Sequence, residues 1–211
     1  IEKIPFEVRQ VFKPIEFLQR PLATRKGLQL SFRFGDDVPQ FVIGDPARLQ
    51  QILNNLIGNA LKFTDVGEVR IEVESKKNPH DKSRMSLHIL VHDTGIGIPV
   101  EKQHTIFSKF QQADSSTARK YGGTGLGLAI TKDLVKLLGG DLHLQSEVGK
   151  GTCVSVAVPV AHASTDQVLQ NDRNMENISG GICPDATILI VDDHPVNLLY
   201  MRNLLKKFGF I

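Results

Sequence analysis

Apolar residues recur at helical spacing most clearly over 46–63, where Leu49, Ile52, Leu53, Leu56, Ile57 and Ala60 stand three and four apart on one face. Residues 9–26 carry a weaker helical period. Pro14 and Pro21 each remove a backbone donor there, so a late start or a kink is expected. Gly27 stops that helix, and Leu28–Phe34 switches to the alternation of a strand. Gly67–Ser75 and Met85–His92 alternate in the same way and read as adjacent strands joined by the polar turn 76–84. Between about 94 and 124 glycines and polar residues dominate without a period. So long a stretch inside a compact domain is functional or disordered. A helix over 125–138 follows, closed by Gly139 and Gly140, and then two strands, 141–146 and 152–158.

Residues 161–186 are polar and aperiodic, as a linker is. Thr187–Val191 reads as a short strand of buried type, and an apolar-periodic helix starts near 195. The chain thus divides into a domain over 1–160, a linker over 161–186 and a second piece over 187–211. One strand and one helix cannot bury a core, so that last piece is expected to be loosely ordered or to dock elsewhere.

Charge adds little. Lys plus Arg is 25 against 23 for Asp plus Glu, a net of +2, which gives no reason to expect nucleic acid or an anionic membrane as partner. No apolar run approaches the ~18 residues of a membrane span. Cys153 and Cys183 make neither a disulfide framework nor a CxxC pattern, which suits a reducing, cytoplasmic setting. The first residue is Ile1, as in a piece of a longer protein.

Three groups of residues carry chemistry. On the polar side of helix 46–63, Asn55, Asn59 and Lys62 stand at i, i+4 and i+7 and share one stripe. That stripe is either a solvated face or a place where amide oxygens complete a Mg²⁺ shell while the ammonium meets a phosphate. Asp93-Thr94-Gly95-Ile96-Gly97-Ile98-Pro99 follows a strand directly. A carboxylate at a strand end can accept a hydrogen bond from an exocyclic amine such as that of adenine, and the glycines allow close approach of a ring. The ordinary alternative is a plain Asp-Gly turn. Tyr121-Gly122-Gly123-Thr124-Gly125-Leu126-Gly127-Leu128 ends the long loop and begins a helix, where exposed amides and the helix dipole favour an anion. Arg119 and Lys120 supply cations beside it. Neither GxGxxG nor a Walker-type loop fits: counting from Gly123 or Gly125 puts Leu128 or Ile130 at the third glycine, and Gly149-Lys150-Gly151-Thr152 has the wrong spacing and reads as a β-turn.

Together and in this order, the pieces resemble the catalytic domain of sensor histidine kinases, within the wider family that includes Hsp90, type II topoisomerases and MutL. The N box is similar to Asn55 through Thr64, the first glycine box to Asp93 through Pro99, the phenylalanine box to Ile106 through Phe110, and the second glycine box to Gly123 through Leu128. The resemblance covers residues 1 to about 160 and implies a two-layer α/β sandwich, with a mixed sheet and helices on one face. It also implies an ATP site formed by Asn59, Lys62, Asp93, Gly95, Gly97, Ile98, Phe110, Arg119, Lys120, Tyr121, Gly123, Thr124, Gly125, Leu126, Gly127, Leu128 and Thr152. Within it, Asn55, Asn59 and Lys62 would do the catalytic work, the two asparagines holding Mg²⁺. Asp93 would bind the adenine amine, Thr152 would reach the base through water, and Phe107 and Phe110 would anchor a lid.

ATPases of the same superfamily place a glutamate one turn before the magnesium asparagine; Asn55 stands there instead. Without that carboxylate, hydrolysis should be slow and phosphoryl transfer to a protein preferred. None of the seven histidines has the acceptor context of a dimerisation hairpin, so the acceptor domain is expected outside this chain. Residues 188–197 resemble the opening of a receiver domain, with Asp192 and Asp193 as its Mg²⁺-binding acidic pair. The implied parent is a hybrid kinase whose partners are its own dimerisation domain and a receiver or response regulator. An ATPase of the Hsp90 kind and a nucleotide-binding pseudokinase are the competing readings.

Overall fold

A computed structural model describes residues 1–78, 81–108, 126–164 and 187–191, together with 201, 202 and 205. The chain falls into two compact units, Ile1–Asn171 and Asp172–Ile211. The first unit runs β1 (Ile4–Glu7), α1 (Val8–Lys26), β2 (Gln29–Phe34), β3 (Phe41–Gly44), α2 (Pro46–Phe63), β4 (Glu68–Asn78) and β5 (Asp81–Asp93). It continues with a single-turn helix α3 (Val100–Gln103), then α4 (Gly127–Leu137), β6 (Asp141–Glu147) and β7 (Gly151–His162).

The strands form one sheet in the order β1-β3-β7-β5-β4-β2, with β6 also on β7. Only β2 and β4 pair in parallel; the remaining pairs are antiparallel, so the sheet is mixed. β7 is twelve residues long, and β6 pairs along its first half while β3 meets Ala161 and His162 at its end. Strand patterning shows one covered face. In β5, Leu87, Ile89 and Val91 are buried while Ser86, His88 and His92 between them are only half-buried; β4 repeats this with Val69, Ile71 and Val73. α1, α2 and α4 contribute Val11, Phe12, Ile15, Leu49, Ile52, Leu53, Leu56, Ile57 and Val135 to the same core. The molecule is an α/β fold with its helices over the apolar face of a mixed sheet.

Helix α2 has the bounds that its periodicity predicts. Asp45 caps it by accepting from Arg48 N at 3.0 Å, and Pro46 sits at the first turn, where its missing donor costs nothing. Its far end is capped from another element. Lys26 Nζ donates to the carbonyls of Leu61 (2.7 Å), Lys62 (3.1 Å) and Thr64 (2.8 Å).

Several expectations need correction. α1 starts at Val8 and runs continuously through both prolines, with no late start. Pro14 and Pro21 are exposed, and so are Gln10 and Phe17, whose carbonyls the prolines leave without partners; water can satisfy them. The turn expected over 76–84 is mostly strand, since β4 extends to Asn78 and β5 resumes at Asp81. β7 continues four residues past 158, and β1 and β3 were not anticipated. Thr187–Val191 is not a buried strand: it has no regular structure, and Leu189 and Val191 are 85% and 84% exposed. Residues 201, 202 and 205 are helical, whereas Asp192 and Asp193 lie outside the described residues.

Candidate functional site

The site grows from where β5 ends. Asp93 is its last residue, and the chain then turns through Thr94–Pro99 across the C-terminus of α2. Ile96 N donates to Phe63 O at 3.3 Å, and a Cβ on Gly95 would lie 2.4 Å from that same carbonyl. The strand-end carboxylate is thereby brought to the end of the helix that carries Asn59 and Lys62, one turn before Phe63 and next to it.

Asp93 Oδ1 accepts from Gly95 N at 2.9 Å and from Thr152 N at 3.2 Å. Among the described residues nothing hydrogen-bonds to its other oxygen. The carboxylate is therefore anchored by one oxygen and presents the other as an acceptor. Burial pushes the Asp93 carboxyl above its ordinary value, although the two backbone donors and the neighbouring His92 pull it back down.

Gly97 has φ of 69°, and an added Cβ would stand 2.0 Å from Glu147 O, so no other residue fits there without moving β6. The adjoining Ile98 N donates to Ser146 Oγ at 2.8 Å. Ser146 Oγ also donates to Gly151 O at 3.0 Å and lies 2.9 Å from Thr152 Oγ1. Gln103 Nε2 donates to Ile98 O at 2.9 Å and Ser146 O at 2.8 Å, tying α3 to both segments. Neither Ser146 nor Gln103 belongs to the predicted set. Ser146 could have been found by counting back from the turn at 148–150, since it pairs with Thr152 across that hairpin.

Asn55 meets the second glycine-rich segment. Its Nδ2 donates to the buried Thr131 Oγ1 at 2.6 Å, and Gly127 packs so close that an added Cβ would sit 2.4 Å from Asn55 Oδ1. Thr131 Oγ1 in turn donates to Gly127 O at 3.0 Å, so the start of α4 is pinned to the polar stripe of α2. Leu126 caps this end of α4, and Leu128 packs against the core. Lys62 Nζ stands 5.0 Å over the Phe63 ring, and Lys132 Nζ lies 5.7 Å from the Phe107 ring, which places Phe107 beside α4. Phe110, Arg119, Lys120, Tyr121, Gly123, Thr124 and Gly125 lie outside the described residues. Of the described predicted residues, Asp93, Gly95, Gly97, Ile98 and Thr152 meet where the end of α2, the 93–99 turn and the β6–β7 hairpin come together, while Asn55 and Gly127 meet at the start of α4.

The family model for histidine kinase-, DNA gyrase B-, and HSP90-like ATPases matches residues 44–162, more than half of the chain. The chain belongs to this family. Similar proteins include the signal transduction histidine-protein kinase BarA of Escherichia coli (strain K12), 44% identical over 152 residues, which are 72% of this chain and 16% of BarA. The autoinducer 2 sensor kinase/phosphatase LuxQ of Vibrio harveyi is 36% identical over 99% of this chain and 24% of its own length. The chain thus spans less than a quarter of these relatives. Among solved structures, full-length ShkA in complex with AMPPNP superposes with a TM-score of 0.63 at 29% identity, over 77% of this chain and 32% of that one. The catalytic domain of the histidine kinase ThkA, at 23% identity and a TM-score of 0.60, shares the fold over 75% of this chain and 96% of its own.

Proposed function

We propose that residues 1–160 bind Mg-ATP and donate its γ-phosphoryl group to a histidine on a dimerisation domain outside this chain. The observation that carries this reading is the Asp93 carboxylate, fixed by two backbone amides, with its other oxygen left to accept beside the end of the N-box helix. Such an acceptor suits the exocyclic amine of adenine. Gly97 lets the 93–99 turn pack directly on Glu147 at the end of β6, which fixes the backbone beside that carboxylate.

The donor set on α2 fits a hard cation held together with phosphate. Asn59 and Asn55 supply neutral amide oxygens, and the bond from Asn55 Nδ2 to Thr131 fixes how the Asn55 amide is turned. A Mg²⁺ ion held there would neutralise charge on the phosphates, and Lys62 would add a positive charge from the same helix. Arg119 and Lys120 would complete the cationic side. No group at position 55 can take a proton from water, because a carboxamide is not basic, so transfer to a protein is favoured over hydrolysis. A relative named a histidine-protein kinase over 72% of this chain, and one named a sensor kinase/phosphatase over 99% of it, support the same direction. The parent is read as a cytoplasmic-facing hybrid kinase whose receiver begins within 187–211.

The test supplies a dimerisation hairpin from a related kinase in trans, with γ-labelled ATP. Acid-labile label on the hairpin histidine is the expected outcome. Steady phosphate release without an acceptor would favour the ATPase reading, and binding with neither product would mean a pseudokinase.

A further inference from the structure

Ser146 was absorbed by none of the boxes, yet it makes three contacts at the edge of the candidate site. Its hydroxyl has one proton and two acceptor lone pairs. Ile98 N–H can only donate to it, at 2.8 Å, and Gly151 O can only accept from it, at 3.0 Å. The serine proton is therefore spent on the carbonyl. The third neighbour, Thr152 Oγ1 at 2.9 Å, must then donate its own proton to Ser146. Thr152 is left with lone pairs only. Its backbone N–H is committed as well, to Asp93 Oδ1 at 3.2 Å.

We propose that Ser146 is a positioning residue which, by consuming the Thr152 proton, turns the Thr152 hydroxyl into a pure acceptor and so sharpens selection of a 6-amino purine over a 6-oxo purine. This rests on the nucleotide reading above. Thr152 and Asp93 are neighbours through the Thr152 N–Asp93 Oδ1 bond, and Oδ2 of one and Oγ1 of the other would both offer lone pairs to a base there, directly or through a shared water. An amino group brings protons to such a corner; a carbonyl oxygen in its place brings a third set of lone pairs and leaves the Thr152 hydroxyl without a donor. Were the Ser146 hydroxyl missing, Thr152 could rotate and donate to the 6-oxo group, and that part of the discrimination would fade.

The experiment compares ATP with inosine triphosphate by competition titration on the whole chain, in wild type, Ser146→Ala, Thr152→Val and the double variant. The expected result is that Ser146→Ala lowers the preference for ATP by about fivefold, the size of one net hydrogen bond. In the Thr152→Val background the same change should have no further effect on that preference. A merely structural serine would weaken both nucleotides equally and leave the ratio unchanged, which overturns the proposal. So does a ratio that still responds to Ser146→Ala when Thr152 is valine. If Ser146→Ala does not fold, Thr152→Val alone decides: loss of ATP affinity with inosine triphosphate unaffected agrees, equal loss contradicts. Wild type binding neither nucleotide would instead defeat the nucleotide reading itself.

Discussion

Asp93 sits between two opposing effects. Burial penalises its charge, while the amides of Gly95 and Thr152 stabilise it, and the balance leaves its pKa above the ordinary value. Its protonation therefore starts at a higher pH than for a free aspartate. Protonation takes away an acceptor, so Mg-ATP affinity should weaken on mild acidification, and Asp93→Asn should flatten that part of the profile; titration calorimetry at successive pH values checks both. The sign for stability is opposite. A carboxyl whose folded pKa lies above the unfolded one is least costly when neutral, so acidification through this group relieves a cost of folding. Gly97 gives a second residue-scale prediction. With φ of 69° and Glu147 O in the way, Gly97→Ala should lose about 2 kcal/mol or more in urea unfolding. The place of Asp93 at a strand end and of the glycines in the turn after it was legible in the sequence, because strand alternation stops there and glycines follow. Ser146 and Gln103 were not, because a serine on a strand and a glutamine on a short helix show their role only when the partner segments are placed in space.

At the scale of elements, α2 matters most, since it carries the polar stripe on one side and seven buried residues on the other. Both of its ends are held. Asp45→Ala should cost about 1 kcal/mol through loss of the N-terminal cap. Lys26→Ala, which frees three carbonyls at the other end, should cost about 1–3 kcal/mol and loosen the turn that follows Asp93; urea unfolding of each variant checks the size. The bounds of α2 could be read directly, since period, cap and Pro46 agree. α1 could not be read as continuous, because proline is penalised on average, whereas here both rings and the carbonyls they orphan face water. β1 and β3 escaped notice for a different reason. Each is four residues long; β1 pairs with β3, and β3 in turn with the end of β7, a contact distant in sequence.

For the whole molecule, the order of the boxes was enough to predict the α/β fold, and the family match over 44–162 agrees with it. The buried strand expected at 187–191 failed, since those residues have no regular structure; an apolar run becomes a buried strand only with a neighbour to pair with, which the sequence pattern alone does not supply. The same dependence explains why the site forms at all: β5, α2 and the β6–β7 hairpin are distant in sequence and are joined by the bonds of Phe63, Asp93 and Ser146.

That convergence is tested most directly by calorimetric titration of Mg-ATP into the wild-type chain and into Asp93→Asn. In the variant, Oδ1 can still accept from Gly95 and Thr152, but an amide donor replaces the oxygen aimed at the base, so folding should be retained while affinity falls at least about tenfold. Equal affinity for the two proteins would mean that the base is recognised elsewhere.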